Sequence, residues 1–544
     1  MTPPRATLVV SGQVVVAAGP DRLVLAEAIG IADGRVVTVG ERRDVVTAAT
    51  PGCRVIDAGA AAVVPGLHDF HLHLVNMART RREVRLDDAP DLATVVERVR
   101  GASEELPPGA WLTGGRWEEG VMRGDTGALA AAVGVRPVLL TAHDGHSAWA
   151  SPAALTAAGI DAGTDPIAGG RIELDANGRL TGIVRERAML PLVHAAERLE
   201  GDGLADAMEE TVDELLGWGI TGVTDAGDYD AGRGIGPLGD LGESFSRLWE
   251  ARAVIDGRLR VTLDIPAAAI DRAAGRGLIT GGGLADAATL RFGWAKAYAD
   301  GTLGSSTAAL FAPPSCGAGD DTGILRTSPE ELDAILGAAR SAGIGIAAHA
   351  IGDRAAATVL DAMERAAPRR PGVPPDRIEH AQLVRPADRA RFANLDVTAS
   401  VQPVHLVSDR DTAEACWQGR LAHAYAYRSL AGAGARLALG TDAPIEGAHP
   451  WRNLHAAVRR HAPGDDRAAW RPDEGLELVA ALAAATIGPA EGMGRVDEGH
   501  LNVGARADLA VLSCELETLL AADDRLATVS AQLTMVDGRE VHRS

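Results

Sequence analysis

The fold of this chain is constrained most by a regular alternation of short apolar segments with helical patterns from about residue 204 onward. Seven of these segments read as buried strands, at residues 220–228, 260–266, 291–301, 344–353, 377–383, 396–405 and 436–444. An eighth apolar run ends at His71. Because a (β/α)8 barrel requires eight strand-plus-helix units, we predict an α/β fold with a TIM-type barrel at residues 61–489.

The helical patterns carry their own start and stop signals. Between two of the predicted strands, Ser328 can cap a helix, Pro329 suits its first turn and Glu331 completes a capping box. Gly343 can end the same helix. The pattern therefore predicts one helix of the barrel between these signals.

Side chains that bind metal ions or move protons stand at the ends of the predicted strands. They are His71 and His73 on the first strand, Lys296 on the fourth, His349 on the fifth, His380 on the sixth and Asp442 on the eighth. Each of them alone is often structural, as a core histidine or as half of an ion pair. In a barrel, however, the C-terminal ends of the strands meet at one face, so the set together predicts a metal site.

The first pair already has the geometry of a metal pincer. His71 and His73 are separated by one residue in PGLHDFHLHL, and residues i and i+2 of a strand point to the same face. His68 does not share that face, and we expect it to pack in the core.

Both ends of the chain read as short strands without intervening helices. Stretches rich in Val and Leu, with the turn signals Asp33-Gly34 and Asp537-Gly538, occupy residues 1–60 and 490–544. We predict that they pair into one composite β-sandwich domain. The stretch between the first and second barrel strands is far longer than a βα connection, which predicts an inserted subdomain at residues 75–205 that covers the active site.

Composition narrows the class of partner. The net charge is −21 at pH 7 without long acidic runs, whereas nucleic acids and anionic membrane surfaces bind clusters of Lys and Arg. We therefore expect a small-molecule substrate, and neither nucleic acid nor membrane as a partner. No apolar run reaches the roughly 18 residues of a membrane-spanning helix, so a cytoplasmic protein is the default expectation. A homodimer is compatible with these features.

The cysteines lie far apart in the sequence, and none forms a Cys-x-x-Cys pair. They are Cys53, Cys316, Cys416 and Cys514. We expect four free thiols in a reducing compartment.

The motifs in their order resemble the amidohydrolase superfamily, and within it the YtcJ-like branch that includes N-substituted formamide deformylases. The matching stretches are PGLHDFHLHL, AKAYADGTLGSSTAAL, HAIGDRA, RIEHAQL, SVQPVH and GTDAP, together with ADGRVVTVG and GARADLAVLS near the two ends. The resemblance spans nearly the whole chain, and the ordered set is far more specific than any single motif.

The resemblance implies a ligand set. His71 and His73 would bind one divalent metal ion, His349 and His380 a second, and Lys296, carboxylated by carbon dioxide, would bridge the two. Asp442 would complete the first metal site and handle protons. Zinc is the first choice for these donors, although Fe, Mn, Co or Ni suit them as well.

Two other interpretations of Lys296 stay open from the sequence. It could remain unmodified beside a single metal ion, or it could pair with Asp300. A carbamate has the chemical advantage that it supplies two anionic oxygens, whereas an ammonium group cannot bind a cation.

The surroundings of these ligands are assigned by position in the motifs. Asp69 and Asp353 could orient ligand imidazoles, and the alternative for Asp353 is to cap the following helix. Gln402 and His405, at the end of the seventh strand, point at the barrel mouth and could touch substrate. Each of the four has a structural role as its alternative.

One stretch of the predicted insert also resembles the family. DGHSAWASPAAL matches a segment that reaches the active site in the YtcJ-like branch, which would place His146 and Trp149 over the pocket. Ser151 stands where relatives commonly have Asn, and this difference bears on substrate specificity. Glu186, further along the insert, could face the pocket or form an ordinary ion pair.

The implied function is a metal-dependent hydrolase that cleaves the C–N bond of an amide or an N-formyl or N-acyl small molecule by metal-activated hydroxide. A one-metal deaminase of a nitrogen heterocycle is the alternative enzyme, disfavoured because Lys296 is present and no suitably placed Glu follows His349. A non-catalytic barrel scaffold is the alternative from another class, but such a protein would be expected to lack some of the six ligands. Ester or lactone hydrolysis would use the same metal ions.

Overall fold

The structure is a computed structural model that describes residues 4–19, 21–118, 120–123, 127–143, 145–167, 169–196, 201–227, 236–317 and 319–544. Its strands, in chain order, are β1 (Leu8–Ala18), β2 (Leu23–Ala32), β3 (Arg35–Gly40), β4 (Arg54–Pro65), β5 (Leu67–Leu72), β6 (Val84–Arg85), β7 (Leu112–Trp117), β8 (Val138–Ala142), β9 (Ser147–Ala150), β10 (Gly170–Leu174), β11 (Leu180–Glu186), β12 (Ile220–Asp225), β13 (Arg260–Pro266), β14 (Leu290–Tyr298), β15 (Ile346–Ala350), β16 (Asp376–His380), β17 (Val397–Val401), β18 (Arg436–Leu439), β19 (Leu509–Glu515), β20 (Ala531–Val536) and β21 (Arg539–Arg543).

The α-helices, in chain order, are α1 (Arg42–Ala48), α2 (Leu74–Thr80), α3 (Leu92–Glu105), α4 (Gly127–Val133), α5 (Pro152–Ala157), α6 (Leu190–Ala195), α7 (Gly201–Gly217), α8 (Glu243–Glu250), α9 (Arg252–Ile255), α10 (Ile270–Gly275), α11 (Pro329–Ala342), α12 (Asp353–Arg365), α13 (Pro386–Asn394), α14 (His405–Ser408), α15 (Arg410–Cys416), α16 (Tyr427–Gly432), α17 (Pro450–Arg459), α18 (Leu478–Ala485), α19 (Ile487–Gly492) and α20 (Leu516–Ala521). Among these described residues, no helix combines the length and the apolar character needed to cross a membrane.

Eight parallel strands form the central sheet, in the order β18-β17-β16-β15-β14-β13-β12-β5. Beyond β18, the backbone N–H of Asp442 donates to the carbonyl of His71 at 2.7 Å, which brings the two edges of the sheet together. The predicted α/β barrel is thus confirmed. Six of the seven strands end earlier than the sequence segments suggest, the exception being β13. Asp228, at the end of the segment 220–228, lies outside the described residues.

The barrel interior tolerates charge because the charges are paired. All five residues of β16 are buried, among them Arg377 and Glu379. The Arg377 guanidinium contacts both Asp264 and Glu379, and it lies 4.5 Å from the centre of the Trp294 ring. A buried charge is stable only when it is paired in this way, and the pairing fixes the position of Glu379.

A second sheet lies within the long connection between β5 and β12. It has six strands in the order β10-β11-β9-β8-β7-β6 and packs around its own apolar side chains, such as Leu112, Leu140 and Ile183. A sheet and a core of this kind agree with an inserted unit. The boundaries 75–205 stay a prediction, and residues 119, 124–126, 144, 168 and 197–200 of that range lie outside the described residues.

The two ends of the chain share one seven-stranded sheet, in the order β21-β20-β19-β4-β1-β2-β3. Its far edge curls back, since Arg35 of β3 forms an isolated antiparallel bridge with Arg506. The curled sheet encloses its own apolar core, which includes Val14, Ile31 and Leu509. The domain boundaries at residues 60 and 490 stay a prediction.

The signals that predicted a helix after residue 328 act as expected. The Ser328 hydroxyl accepts the N–H of Glu331 at 3.2 Å, and the Glu331 carboxylate accepts the N–H of Ser328 at 2.8 Å. Gly343 ends α11 in the left-handed conformation, with φ 73°. The predicted capping box is confirmed.

The expectation of four free thiols is wrong for one pair. Cys316 and Cys416 form a disulfide, whereas Cys53 and Cys514 are free. The two bonded residues are 100 positions apart, but the connection between β14 and α11 folds onto α15, so their Cα atoms are 4.5 Å apart. The distance between the two cysteines in the sequence did not reveal this contact. Because one pair is bonded, the cysteines no longer support the expectation of a reducing compartment.

Candidate metal centre

Three of the predicted ligands converge at the junction of β5 and β18. The Nε2 atoms of His71 and His73 each lie 3.3 Å from the same carboxylate oxygen, Oδ1 of Asp442. Nδ1 of His73 contacts the carbonyl of Gly227 at 3.2 Å, which leaves Nε2 as the atom that faces Asp442. The two imidazoles therefore lie side by side as predicted, and both face the carboxylate of Asp442.

A second cluster shares the same carboxylate. One ligand atom each of His380, His405 and Asp442 lies within 4.8 Å of the others, and Nε2 of His405 is 3.2 Å from Oδ2 of Asp442. His405, which was expected to touch substrate, lines the cavity and also contacts the predicted ligand Asp442.

His349 lies beside this cluster. Its ring centroid is 4.6 Å from that of His380, while its Nε2 contacts the carbonyl of Gly301 at 3.1 Å. The structure thus brings His349 next to His380, as expected of two ligands of one ion, but turns its Nε2 toward the loop that follows β14.

Lys296 is the only lysine in the sequence; the other 52 of the 53 basic Lys and Arg residues are arginines. It is 2% exposed and its Nζ lies 5.1 Å from the centre of the Tyr298 ring. The open pairing with Asp300 is not seen, because the Asp300 carboxylate accepts the N–H groups of Ile351, Gly352 and Ala309.

The backbone at two of the predicted ligands is strained. His380 and Asp442 have φ values of 72° and 60°, in the left-handed region that residues other than glycine rarely adopt. Such conformations cost about 1–3 kcal/mol each and persist where the surrounding structure enforces them, often at functional sites.

Burial and pairing separate the protonation states of the histidines. Burial lowers the pKa of His349 and His380 well below the ordinary value, which keeps both imidazoles neutral and able to bind a metal ion. Burial would also lower the pKa of His405, but the hydrogen bond to Asp442 raises it to about 9. For Asp442 burial opposes ionisation, yet the contacts with His71, His405 and His73 hold its pKa well below the ordinary value.

The side chain that orients His71 is Glu379, a residue that the sequence motifs did not single out. Its Oε2 contacts Nδ1 of His71, and both residues are nearly fully buried. Asp69 was expected to orient an imidazole, but its Oδ1 accepts the backbone N–H groups of His71 and Thr441 at 3.1 Å and 3.0 Å. The expected contact between Asp69 and an imidazole is therefore not present, and Asp69 instead holds the backbone of His71.

Asp353 also contacts backbone. Its Oδ1 accepts the N–H of Phe311, in the connection between β14 and α11, at 3.0 Å. The alternative considered for it, capping of α12, is therefore not seen either, since the N-cap of α12 is Gly352 without a side-chain cap hydrogen bond. Neither Asp69 nor Asp353 therefore holds an imidazole.

All six predicted ligands line one cavity of about 360 Å³, a size suited to a small molecule. Its wall includes His146 from the inserted segment, as expected, and His146 Nδ1 lies 3.0 Å from Oε2 of Glu186. Glu186 is in turn 3.0 Å from Arg326, so it both faces the pocket and is paired.

Two residues expected at the substrate lie elsewhere. Trp149 is buried in the core of the inserted sheet, and Gln402 donates back to the carbonyl of Ser400; neither lines the cavity. Gln382, two residues after His380, lines it instead. Ser151 caps α5 by accepting the N–H of Ala154, so its hydroxyl serves the fold.

The donor set fits a divalent metal ion. Neutral imidazoles and a carboxylate, with ligand atoms within 4.8 Å of one another, are the ligands that zinc and related ions prefer. Nδ1 of His380 is buried and has no hydrogen-bond partner in the part of the chain that the structure describes. An unsatisfied buried nitrogen beside a carboxylate is consistent with a position that a cation completes.

Comparisons with known proteins agree with this geometry. A family model described as the amidohydrolase family matches residues 54–542. The putative amidohydrolase YtcJ of Bacillus subtilis is 27% identical over 535 residues, which cover 95% of this chain and 96% of that protein. The N-substituted formamide deformylase of Arthrobacter pascens is 27% identical over 547 residues, which cover 94% of each chain.

A solved structure is similar over the same extent. The crystal structure of an uncharacterized metal-dependent hydrolase from Pyrococcus horikoshii matches with a TM-score of 0.74 at 26% sequence identity. The match covers 95% of this chain and 99% of that structure, so the similarity includes the barrel and both further sheets.

Proposed function

The chain belongs to the amidohydrolase family, hydrolases of carbon–nitrogen bonds, and on this premise we propose that it uses divalent metal ions to hydrolyse a small amide, an N-formyl or N-acyl compound. The similarity to YtcJ confirms the resemblance found in the sequence. The relative described as an N-substituted formamide deformylase supports this choice of substrate class.

The observation that carries the proposal is the convergence of four histidines on one carboxylate inside a single cavity. His71, His73 and His405 all contact Asp442, and His380 lies within ligand distance of the same group. A structural role would not require so many titratable side chains in one small cavity. This is the arrangement expected of a metal centre.

We assign His71, His73 and Asp442 to one ion and His349 and His380 to a second, with Lys296 as a carbamate between them. Zinc is the proposed metal, with Fe, Mn, Co and Ni as ions that the same donors accept. Burial lowers the pKa of Lys296 and so favours the neutral amine, the form that combines with carbon dioxide. Arginine fills every other basic position and cannot form a carbamate, which supports a chemical need for a primary amine here.

When bound, a divalent ion supplies Lewis acidity, lowering the pKa of a coordinated water and polarising a carbonyl oxygen. The chain supplies the proton transfers. Asp442 is held ionised by His71, His73 and His405, so its carboxylate can accept the proton of an attacking water and deliver it to the leaving nitrogen. His146, held by Glu186, adds a donor on the wall that comes from the inserted segment.

Metal content and hydrolysis of N-formyl and N-acyl amines, measured on the same samples, test the proposal. We expect the barrel cavity to hold about two equivalents of metal per chain in the wild type, and both Lys296→Ala and Lys296→Arg to lose at least one of them relative to the wild type. The Arg variant is the matched control, because it keeps the positive charge but cannot form a carbamate. Release of formate or amine should fall in both variants.

Because Lys296 is the only lysine, incubation with ¹³C-labelled carbon dioxide offers a direct readout. We expect a carbamate resonance in the wild type that both variants lack, whereas the signal of the α-amino group should be the same in all three proteins. A metal content that both substitutions leave unchanged would favour a one-metal deaminase. No metal, even after reconstitution, would favour a non-catalytic scaffold.

A further inference from the structure

A second group of metal-binding side chains lies outside the cavity. One ligand atom each of His455, His461 and Asp524 lies within 4.8 Å of the others. His455 is on α17, His461 follows that helix, and Asp524 begins the 3₁₀ turn Asp524–Thr528 that precedes β20. None of the three lines the cavity of the barrel. We propose that these three residues bind a divalent transition-metal ion of the Zn²⁺ class that joins the barrel to the terminal sheet.

The distance between His455 and Asp524 supports this assignment. Nε2 of His455 is 3.0 Å from Oδ1 of Asp524, close to the spacing of about 3.3 Å between two donors that share a tetrahedral zinc ion. His455 is fully buried, and its Nδ1 has no hydrogen-bond partner among the described residues. Within that part of the chain, the ring therefore makes its polar contact through the nitrogen that faces Asp524.

The backbone contact of His461 leaves one of its ring nitrogens available to a metal ion. Its Nδ1 contacts the carbonyl of Ala462 at 2.7 Å, which requires the proton to be on Nδ1 and leaves the lone pair on Nε2. Its ring lies 5.2 Å from that of His455 at an interplanar angle of 88°. An ordinary His–Asp hydrogen bond would not need a second imidazole in this orientation.

Asp524 is also positioned, and it opens the site to solvent. Its Oδ2 accepts the N–H of Gly464 at 3.0 Å, which leaves Oδ1 toward His455. The side chain is 55% exposed, so water can complete the coordination and the ion can enter. Two imidazoles and one carboxylate match the preference of zinc, and nickel or copper would accept the same donors.

The site has a structural consequence because its ligands come from two parts of the fold. α17 follows the last barrel strand, whereas the turn at Asp524 connects two strands of the terminal sheet. An ion held by both would bind the folded chain more tightly than the unfolded chain. It would therefore raise the unfolding temperature.

Zinc content of the full-length protein, dialysed against a slight excess of zinc, tests the inference. We expect His461→Ala and Asp524→Asn each to lose about one equivalent per chain relative to the wild type, because each removes one of three ligands. His500→Ala is the matched control, since His500 is a partly exposed histidine outside both clusters. The barrel ions contribute equally to all four proteins, so the difference belongs to the second site.

A second readout is the thermal unfolding midpoint of metal-free protein as zinc is added. The increase should be smaller in the His461→Ala and Asp524→Asn variants than in the wild type and the control. Asp524→Asn keeps an oxygen for the His455 hydrogen bond, so it remains informative if another substitution disturbs folding. Equal zinc content in wild type and both variants would overturn the inference. The result does not depend on whether the barrel hydrolyses amides.

Discussion

At the scale of single residues, Glu379 is the side chain through which the protein controls the orientation of His71. It contacts Nδ1 of His71 and Nε of Arg377, and it is fully buried. Partners of this kind fix the tautomer of a ligand, and their loss typically lowers metal affinity about 10–100-fold. We therefore expect Glu379→Gln to weaken metal binding in that range, measured by competition with a chelating dye.

Asp69→Asn is the matched comparison for this prediction. Asp69 is also a buried carboxylate beside His71, but it holds backbone N–H groups, and an amide oxygen can still accept from them. We expect a much smaller loss of affinity for Asp69→Asn. An equal loss in both variants would contradict the assigned role of Glu379, and thermal unfolding of each variant checks that the fold persists.

A second residue-scale prediction concerns His143, on the wall of the cavity. Burial alone would lower its pKa, but Glu118 and Glu446, at 3.0 Å and 3.2 Å, raise it to about 10. A raised pKa means that protonation stabilises the folded state. The contribution is fully present below about pH 6.5 and is lost as the pH rises toward 10.

The measurement is the difference in free energy of unfolding between wild type and His143→Gln, from urea denaturation between pH 6 and pH 10.5. We expect the difference to shrink steadily as the pH rises. His449→Gln is the control above about pH 7.5, because burial lowers the pKa of His449 to about 4 and the imidazole is then neutral in both the folded and the unfolded state. A pH-independent difference for His143→Gln would contradict the prediction.

The sequence predicted the location of a residue well where a general rule links its place in a strand to its place in the fold. Strand ends of a barrel meet at one face, so the meeting of the six side chains from His71 to Asp442 in one cavity could be predicted from the order of the strands alone. Glu379 could not, because it precedes His380 in a strand and its partner His71 is 308 positions away. For Lys296 the sequence offers a second indication besides its place at a strand end, since it is the only lysine of the chain.

At the scale of elements, the disulfide joins two segments that both reach the cavity. The connection between β14 and α11 contributes Leu303 to the wall, and α15 contributes Thr412. Cys316 lies on the first segment and Cys416 on the second, with 100 positions between them. A link across so long a loop stabilises a protein by about 2–4 kcal/mol, chiefly by restricting the unfolded chain.

We expect Cys316→Ser to lower the free energy of unfolding by about that amount, measured by urea denaturation without reductant. Other contacts should keep the segments in place, since Ser315 N–H donates to the Cys416 carbonyl at 2.8 Å and Arg420 donates to the Ala312 carbonyl at 2.8 Å. Cys514→Ser, which removes a free thiol, is the control. Equal stability of the two variants would show that the bond adds nothing.

At the scale of the whole molecule, the barrel could be predicted from the sequence, whereas the contacts that hold separate parts of the fold together could not. Periodicity reveals strands and helices along the chain, and eight units of that kind leave few alternatives to a barrel. The contact between Cys316 and Cys416, and the salt bridges between β13 and the terminal sheet, depend on which surfaces meet after folding. Pairwise contacts of this type leave no periodic trace in one sequence.

One buried contact between the barrel and the terminal sheet is centred on Arg260, at the start of β13. Its guanidinium contacts Asp508 at 2.5 Å and 3.0 Å and Asp537 at 2.6 Å, and the side chains of Arg260 and Asp508 are 10% and 11% exposed. Burial would lower the pKa of Arg260, but Asp508 raises it above the ordinary value. Without Arg260, Asp537 keeps its contact with Arg506, but the buried carboxylate of Asp508 keeps only the backbone N–H of Asp537 and loses its contact with the Arg260 guanidinium. Breaking a buried ion pair in this way costs about 3–5 kcal/mol.

Arg260→Met should therefore lower the free energy of unfolding by about 3–5 kcal/mol, in a single transition seen by both fluorescence and circular dichroism. Arg258→Met, two positions away, is the control, because Arg258 pairs with Asp213 and Glu209 at the surface, where an ion pair contributes only about 0–1 kcal/mol. If the terminal sheet were stable without the barrel, the Arg260 variant would instead show two separate transitions. Equal shifts in the two variants would mean that the joint at Arg260 is as weak as an exposed pair, and that other contacts hold the terminal sheet to the barrel.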